Sequence, residues 1–115
     1  DKGGAITITA STAGLGVVPV DPLYTATKYA VIGLGRAVSA SNTGSNIRIN
    51  MICPGVVDTA IVPDEYKQSE FGMMPTSVIA AEIVDLLQTV DNREVRVKLN
   101  AERAAFGVEP QDLSA

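Results

Sequence analysis

The sequence predicts an α/β protein with a doubly wound parallel sheet of three strands and two main helices. Two observations predict this class. Short runs rich in β-branched residues alternate along the chain with longer runs in which apolar residues recur at helical spacing. Strands that alternate with helices of this length pair in parallel through right-handed crossovers, which places helices on both faces of the sheet.

The three predicted strands are apolar runs that end at small or turn-forming residues. The first runs from Ala5 to Ala10, where a stretch of small residues begins. The second, Ile47 to Cys53, becomes continuously apolar and stops at Pro54-Gly55, as expected of a buried strand. The third, Glu94 to Leu99, alternates between polar and apolar residues. We expect the remaining residues, 101 to 115, to form a partly ordered tail, because they show no strong pattern.

Two segments with helical spacing of apolar residues are the predicted helices. The first runs from Tyr24 to about Ser41 and is broken by Asn42 to Ser45. The second has Pro75 in its first turn and ends at Asp91-Asn92. Its apolar face comprises Ile79, Ile83, Leu86, Leu87 and Val90.

Gly33 and Gly35 lie inside the first predicted helix. Each costs about 1 kcal/mol of helix stability relative to alanine. We therefore expect a packing reason for them, namely the close approach of a second helix.

Composition excludes several classes of function. With 46% hydrophobic and 19% charged residues the chain is globular, and no apolar run approaches the ~20 residues of a membrane span. The net charge of -4, with nine scattered basic residues, makes nucleic acid an unexpected partner. The chain has no histidine, which excludes Ser-His-Asp and Cys-His triads. We expect no membrane partner and no metal.

The one cysteine, Cys53, lies within an apolar run. We interpret it as a small buried core residue, since a lone cysteine builds neither a disulfide nor a cysteine zinc site. The presence of a single cysteine favours a cytoplasmic location.

Ser11, Tyr24 and Lys28 are the candidate catalytic residues. Tyr24 and Lys28 are four positions apart and share one helix face. A phenol titrates near pH ~10, and a nearby ammonium lowers that pKa, so Lys28 can tune Tyr24. Ser11 and Pro54-Gly55 each follow a strand, and parallel strands bind ligands beyond their carboxyl ends. By itself Ser11 fits a turn cap, and Tyr24 with Lys28 fits a solvated helix pair.

The segments Ser11-Thr-Ala-Gly, Tyr24-Thr-Ala-Thr-Lys28 and Ile49 to Gly55 together resemble the catalytic segment of the short-chain dehydrogenase/reductase family. The similarity runs from about Gly3 to Leu99. It implies a Rossmann-like oxidoreductase that uses NAD or NADP to interconvert a secondary alcohol and a ketone. It also implies that Tyr24 is the general acid/base, that Ser11 holds the substrate oxygen, and that Lys28 binds the nicotinamide ribose.

The same resemblance implies a cofactor contact after the second strand. Following Pro54 and Gly55, the backbone of Val57 and the hydroxyl of Thr59 would hold the nicotinamide carboxamide. Thr59 also fits a helix N-cap, and we favour the cofactor contact.

The family's glycine-rich phosphate loop precedes its serine segment and has no counterpart in this sequence. Gly33-Leu-Gly35 lies mid-helix and does not serve, because that fingerprint lies between a strand and a helix. We therefore expect residues 1–115 to be a single partial domain, the C-terminal half of a Rossmann-type dehydrogenase domain, inactive by itself. The family's glycine-rich ending after the last strand is missing as well.

Three further expectations complete the interpretation. The resemblance implies a homo-oligomer formed through the Tyr24 to Ser41 helix, acting on a small-molecule substrate. The segment Ile61 to Met74, with Phe71 and Met73, fits either core or a mobile lid, and we favour the lid. The alternative function is a non-catalytic fragment or interaction module that pairs through an exposed sheet edge.

Overall fold

The computed structural model describes residues 2–18, 21–66 and 72–114. Its helices are α1, Pro22–Ser41, and α2, Thr76–Gln88. Its strands are β1 (Gly4–Thr9), β2 (Ile47–Pro54), β3 (Val95–Lys98) and β4 (Phe106–Gly107). They form one sheet of order β1-β2-β3-β4, in which the first three strands are parallel and β4 runs antiparallel to β3.

The central strand β2 is covered on both faces. Met51 and Cys53 pack with Ile32 of α1 on one face, whereas Ile52 packs with Leu86 of α2 on the other. Successive side chains of a strand point to opposite faces, so the two helices lie on opposite sides of the sheet. This arrangement confirms the predicted doubly wound parallel class.

Helix α1 begins two residues earlier than predicted. Asp21 is its N-cap, with Oδ1 accepting a hydrogen bond of 2.9 Å from the Tyr24 N–H, and Pro22 occupies the first turn. The helix ends at Ser41, where the Asn42 side-chain amide donates to the Val38 carbonyl at 2.8 Å. Among the described residues, no helix combines the length and the hydropathy that crossing a membrane requires.

Gly35 packs against the sheet, so the prediction that a second helix approaches it is wrong. A Cβ at Gly35 would lie 2.5 Å from the Met51 sulfur and 3.3 Å from Cδ1 of Ile8. A Cβ at Gly33 would meet open space. The close neighbour is therefore the sheet, to which Gly35 lets α1 come near.

Residues after β3 are held against the sheet, which corrects the predicted number of strands. Within the described residues the sheet has four strands rather than three, and the predicted partly ordered tail is ordered over residues 101 to 108. The Val108 N–H donates to the Val95 carbonyl at 2.8 Å, and Nζ of Lys98 donates to the Arg103 carbonyl at 2.6 Å. The sequence did not reveal β4 because a strand of two residues carries no periodicity.

Cys53 is fully buried in the core between β2 and α1, as the sequence predicts. Burial raises the pKa of its thiol to about 11, while the Ser11 backbone and the charges of Arg36 and Lys28 act in the opposite direction. The buried thiol therefore stays neutral well above physiological pH.

The sheet face beneath α2 contains an ion-pair cluster centred on Arg96, whose side chain is 11% exposed. Its Nε lies 3.0 Å from Glu94, and its Nη1 lies 3.0 Å from Glu82 and 2.7 Å from Asp85. The hydrogen bonds that Arg96 donates, foremost to Glu94, raise the pKa of Arg96 further above its usual range. The cluster ties α2 to β3.

Replacing Arg96 by methionine is expected to lower the free energy of unfolding by about 2 kcal/mol, because Glu82 and Glu94 lose their cation in a half-buried setting. Equilibrium urea unfolding of the protein that carries this chain measures the change. The comparison variant Asp85→Asn removes a partner whose side chain is 65% exposed and should cost at most about 1 kcal/mol. Equal losses in the two variants would contradict a cluster centred on Arg96.

A second prediction concerns Cys53 and alkaline pH. Below pH 9 the thiol is neutral in both states and has no effect on stability. Between pH 9 and about 11 the unfolded thiol ionises while the buried one keeps its proton, so this residue's contribution to stability falls. The total loss is about 3 kcal/mol, from roughly 2 pKa units at about 1.4 kcal/mol each.

The measurement is the free energy of unfolding from pH 7 to 11 for the parent protein and for Cys53→Ala. Other groups titrate in both proteins and cancel in the difference. The difference between their free energies of unfolding should be constant to about pH 9. Above that pH the parent should lose stability relative to Cys53→Ala. A gap that does not change with pH would rule out the raised thiol pKa.

Candidate active site

A cleft at the carboxyl end of the parallel strands brings the predicted site residues together. Its volume is about 670 Å³. Its lining includes all the residues predicted for catalysis or cofactor contact: Ser11, Tyr24, Lys28, Pro54, Gly55, Val57 and Thr59. These residues come from the turn after β1, the start of α1 and the connection after β2, as the parallel topology requires.

Ser11 caps a turn, as one of its two predicted roles requires, and it also lines the cleft. Its backbone is extended, and Oγ accepts a hydrogen bond of 3.1 Å from the Ala13 N–H at the start of the short 3-10 helix Thr12–Gly14. Because Oγ accepts that bond, the hydroxyl hydrogen remains available to donate to a substrate oxygen.

Gly14 holds this turn against α1. A Cβ at Gly14 would lie 2.5 Å from Cδ1 of Ile32 and 2.8 Å from the Lys28 carbonyl oxygen. No larger residue fits without displacing the turn or the helix. The distance between Ser11 and the Tyr24 helix therefore depends on this glycine.

Tyr24 and Lys28 lie one helical turn apart and face each other. Nζ of Lys28 is 5.6 Å from the centre of the Tyr24 ring, within cation–π range. Tyr24 is 42% exposed, and Lys28 is half-buried. Within residues 2–18, 21–66 and 72–114, neither the Tyr24 hydroxyl nor the Lys28 ammonium has a hydrogen-bond partner. Both polar groups are free to contact a ligand in the cleft.

The connection after β2 is fixed by its contact with the end of β3. The Gly55 N–H donates to the Lys98 carbonyl at 2.8 Å, and a Cβ at Gly55 would collide with the Leu99 carbonyl oxygen. Val57 then forms an isolated bridge with Met74. A larger residue at position 55 would push this connection away from the sheet.

Val57 and Thr59 present polar groups that other residues leave unused. Among the described residues, the Val57 N–H and the Thr59 hydroxyl make no hydrogen bond. The Thr59 side chain caps no helix, because the next helical turn is the 3-10 segment Asp64–Tyr66. Thr59 therefore lines the cleft with a hydroxyl that has no partner in the described part of the chain.

Residues of the segment predicted as a lid, Ile61 to Met74, lie in two different environments. Phe71 lies outside the described residues. Met74 is 1% exposed and packs with Ile52 and Leu86 beneath α2, so the lid interpretation is wrong for Met74, which is a core residue. Ile61, in contrast, is 89% exposed and lines the cleft.

Asp21 and Val18 border the cleft but are not among the residues that the sequence predicts for the site. Asp21 had a usable signal, since an aspartate directly before proline at a helix start is typical of an N-cap. Val18 had no signal, because an aliphatic residue in a connection does not indicate which surface it will line. Ile61, Val62 and Pro63 also border the cleft, and they belong to the segment that the sequence predicts as a lid.

A larger groove of about 950 Å³ lies elsewhere, between the second half of α1, the α2 to β3 connection and the segment around β4. It contains none of the predicted site residues. The smaller cleft is the functional candidate, because the hydroxyl and ammonium groups converge there.

Comparison with known proteins adds independent support. A family model described as short chain dehydrogenase matches residues 1–70. The short-chain dehydrogenase/reductase prx7 of Penicillium rubens is 45% identical over 60 residues, which cover 52% of this chain and 21% of that protein. The 15-hydroxyprostaglandin dehydrogenase of Homo sapiens, whose name specifies NAD(+), is 40% identical over 73 residues, which cover 62% of this chain and 27% of that protein.

Solved structures show the same fold. The 3-hydroxyacyl-CoA dehydrogenase type-2 from Mycobacterium avium superposes with a TM-score of 0.74 at 30% identity, over 88% of this chain and 43% of that one. A 4-hydroxyisoleucine dehydrogenase complexed with NADH gives a TM-score of 0.71 at 28% identity, over 86% of this chain and 46% of that one. The chain spans less than half of these structures.

The matched residues 1–70 include Ser11, Tyr24, Lys28 and the Pro54-Gly55 turn, and they make up more than half of the chain. Together with the shared fold, they show that this chain belongs to the short-chain dehydrogenase/reductase family of oxidoreductases.

Proposed function

We propose that the protein carrying this chain uses NAD or NADP to interconvert a secondary alcohol and a ketone, with Tyr24 as the general acid/base. The observation that carries the proposal is the convergence of Ser11, Tyr24 and Lys28 on one cleft at the carboxyl end of the sheet. A hydroxyl donor, a phenol and an ammonium in one cleft match the needs of alcohol and ketone chemistry.

Tyr24 moves the proton. In alcohol oxidation its phenolate accepts the hydroxyl proton of the substrate, and in ketone reduction the phenol returns a proton to the carbonyl oxygen. The chain has no histidine to do this. The carboxylate of Asp21 also lines the cleft, but it accepts the Tyr24 N–H as the cap of α1. Ser11 donates its free hydrogen to the same substrate oxygen and fixes its position.

Lys28 supplies positive charge beside Tyr24. A positive charge at this place can stabilise negative charge that develops on the Tyr24 oxygen during proton transfer. The same group has donors to spare, and we assign them to the ribose hydroxyls of the cofactor. One side chain would then couple cofactor binding to proton transfer.

The residues after β2 fit a nicotinamide. The Val57 N–H and the Thr59 hydroxyl, both unused by other described residues, suit a carboxamide oxygen and amide. When bound, the nicotinamide accepts or supplies the hydride at the substrate carbon. Among the similar structures, the 4-hydroxyisoleucine dehydrogenase is complexed with NADH, and ElxO, which is 27% identical to this chain, has NADP bound. Either cofactor is therefore consistent with the proposal.

Tyr24→Phe keeps the ring and removes the proton-transfer group. We expect kcat to fall by about 10² to 10⁴, the usual effect of losing a general acid/base, while the dissociation constant for the cofactor changes by less than about 3-fold. Steady-state kinetics and fluorescence titration with NADH and NADPH give the two numbers.

The matched control is Tyr29→Phe, on the same helix. The Tyr29 hydroxyl donates to the Gly16 carbonyl at 3.1 Å and does not line the cleft. This variant should keep kcat within about 3-fold of the parent. Parental turnover in Tyr24→Phe would refute the assignment of the acid/base.

Lys28→Met tests the cofactor contact. Loss of charge-assisted hydrogen bonds to the ribose should weaken cofactor binding by about 10-fold to 100-fold, and kcat should fall because the phenolate loses its positive neighbour. Isothermal titration with NAD(H) and NADP(H) measures the first effect. Lys2→Met, at an exposed lysine remote from the cleft, is the control and should bind as the parent does. Undiminished cofactor binding in Lys28→Met would leave Lys28 with the electrostatic role only.

The alternative function, an interaction module, has one favourable observation. In the described sheet β1 pairs with β2 on one side only, and Ile6 on this edge strand is 48% exposed. An open strand edge can pair with another chain. Such a module has no use for the Tyr24 hydroxyl, so the Tyr24→Phe experiment also separates the two functions.

A further inference from the structure

The cleft has an aliphatic border next to its catalytic residues. Val18, Ile61, Val62 and Pro63 line it. Ile61 is 89% exposed, so no other part of the described chain covers it. Pro63 is exposed as well, and Val18 and Val62 are half-buried. A single exposed aliphatic side chain is ordinary on a protein surface, whereas a cluster of apolar residues beside convergent polar groups is typical of a site for an apolar ligand.

This border is attached to the same backbone segments that carry the site. The Val18 carbonyl accepts from the Asp21 N–H at 3.1 Å and from the Thr25 hydroxyl at 3.4 Å, at the start of the Tyr24 helix. The Val62 N–H donates to the Thr59 carbonyl at 3.2 Å. The position of the aliphatic border relative to Tyr24 and Thr59 is therefore set by local hydrogen bonds.

The described lining offers no spare cation for an anionic substrate. Its charged side chains are Asp21 and Lys28. Asp21 caps α1, and Lys28 lies 5.6 Å from the Tyr24 ring centre and is assigned to the cofactor. Against the described lining residues, a carboxylate placed at the aliphatic border would lose water without meeting a spare cation, which disfavours its binding.

We infer that the substrate is a secondary alcohol or ketone whose substituent is an uncharged aliphatic chain of several carbons, bound by Val18, Ile61 and Val62. This inference rests on the proposed function and specifies its substrate class. The substituent leaves water as it meets the border, so affinity should increase with each added methylene.

The first test compares 2-butanol, 2-hexanol and 2-octanol as substrates of the full-length protein, with both NAD(+) and NADP(+). We expect kcat/KM to rise by about 2-fold to 4-fold per methylene, the range up to full burial of that group. The charged comparison is 7-hydroxyoctanoate, which has the eight-carbon skeleton of 2-octanol and a terminal carboxylate. It should be at least about 10-fold poorer than 2-octanol.

Variants then locate the contact. Ile61→Ser should lower kcat/KM for 2-octanol by about 5-fold to 10-fold and lower it less for 2-butanol, so that kcat/KM depends less on chain length. The matched control is Val90→Ser, because Val90 is also 89% exposed but does not line the cleft. Its chain-length dependence should equal that of the parent. Ile61→Arg should narrow the gap between 2-octanol and 7-hydroxyoctanoate, since it supplies the missing cation.

The results of these experiments distinguish failure of the aliphatic substrate class from failure of the proposed dehydrogenase function. Turnover that depends on Tyr24 but not on chain length, or that favours 7-hydroxyoctanoate, would overturn the aliphatic substrate class and leave the dehydrogenase proposal intact. If neither alcohols nor the corresponding ketones react with either cofactor, the proposed function fails and this inference fails with it. A chain-length dependence that Ile61→Ser and Val90→Ser reduce equally would exclude Ile61 as the contact.

Discussion

The rest of the structure depends on the burial of β2 between two helices. Residues 49 to 54 of this strand are all buried, with alternate side chains against α1 and α2. A shift of one residue would exchange the two faces, so this burial fixes the register of the sheet. Thr9 of β1 is paired with Ile52, which sets Ser11 two residues farther along, beside the end of β2. The place of the serine in the cleft is thus a consequence of how β2 is buried.

Three glycines allow the close contacts that bring the site residues together. Gly35 lets α1 approach Met51, Gly14 lets the Ser11 turn rest on the Lys28 backbone, and Gly55 lets the connection after β2 meet Leu99. In each case a Cβ would be closer than van der Waals contact allows. None of the three has a positive φ, so close packing rather than backbone conformation requires them. The same contacts that fill the core set the spacing of Ser11, Tyr24 and the Val57 connection.

The charges of the chain are divided between stability and chemistry. Arg96 is surrounded by three carboxylates beneath α2, where its charge is fully compensated and ties helix to sheet. Lys28 lies at the cleft with the Tyr24 ring as its neighbour and no carboxylate within salt-bridge distance among the described residues. An ammonium without a carboxylate partner keeps its hydrogen-bond donors available for a ligand in the cleft.

The sequence by itself determined the doubly wound class, the two helices, the three parallel strands and the buried Cys53, because each follows from a local period or an apolar run. It also placed Ser11, Tyr24 and Lys28 at one edge, since their spacing is local and parallel strands end together. The tertiary structure decided the rest. The pairing of β4, the sheet contact of Gly35, the burial of Met74 and the aliphatic border at Val18 and Ile61 join residues far apart in the chain. No local period records such contacts, because they form only when the whole sheet packs.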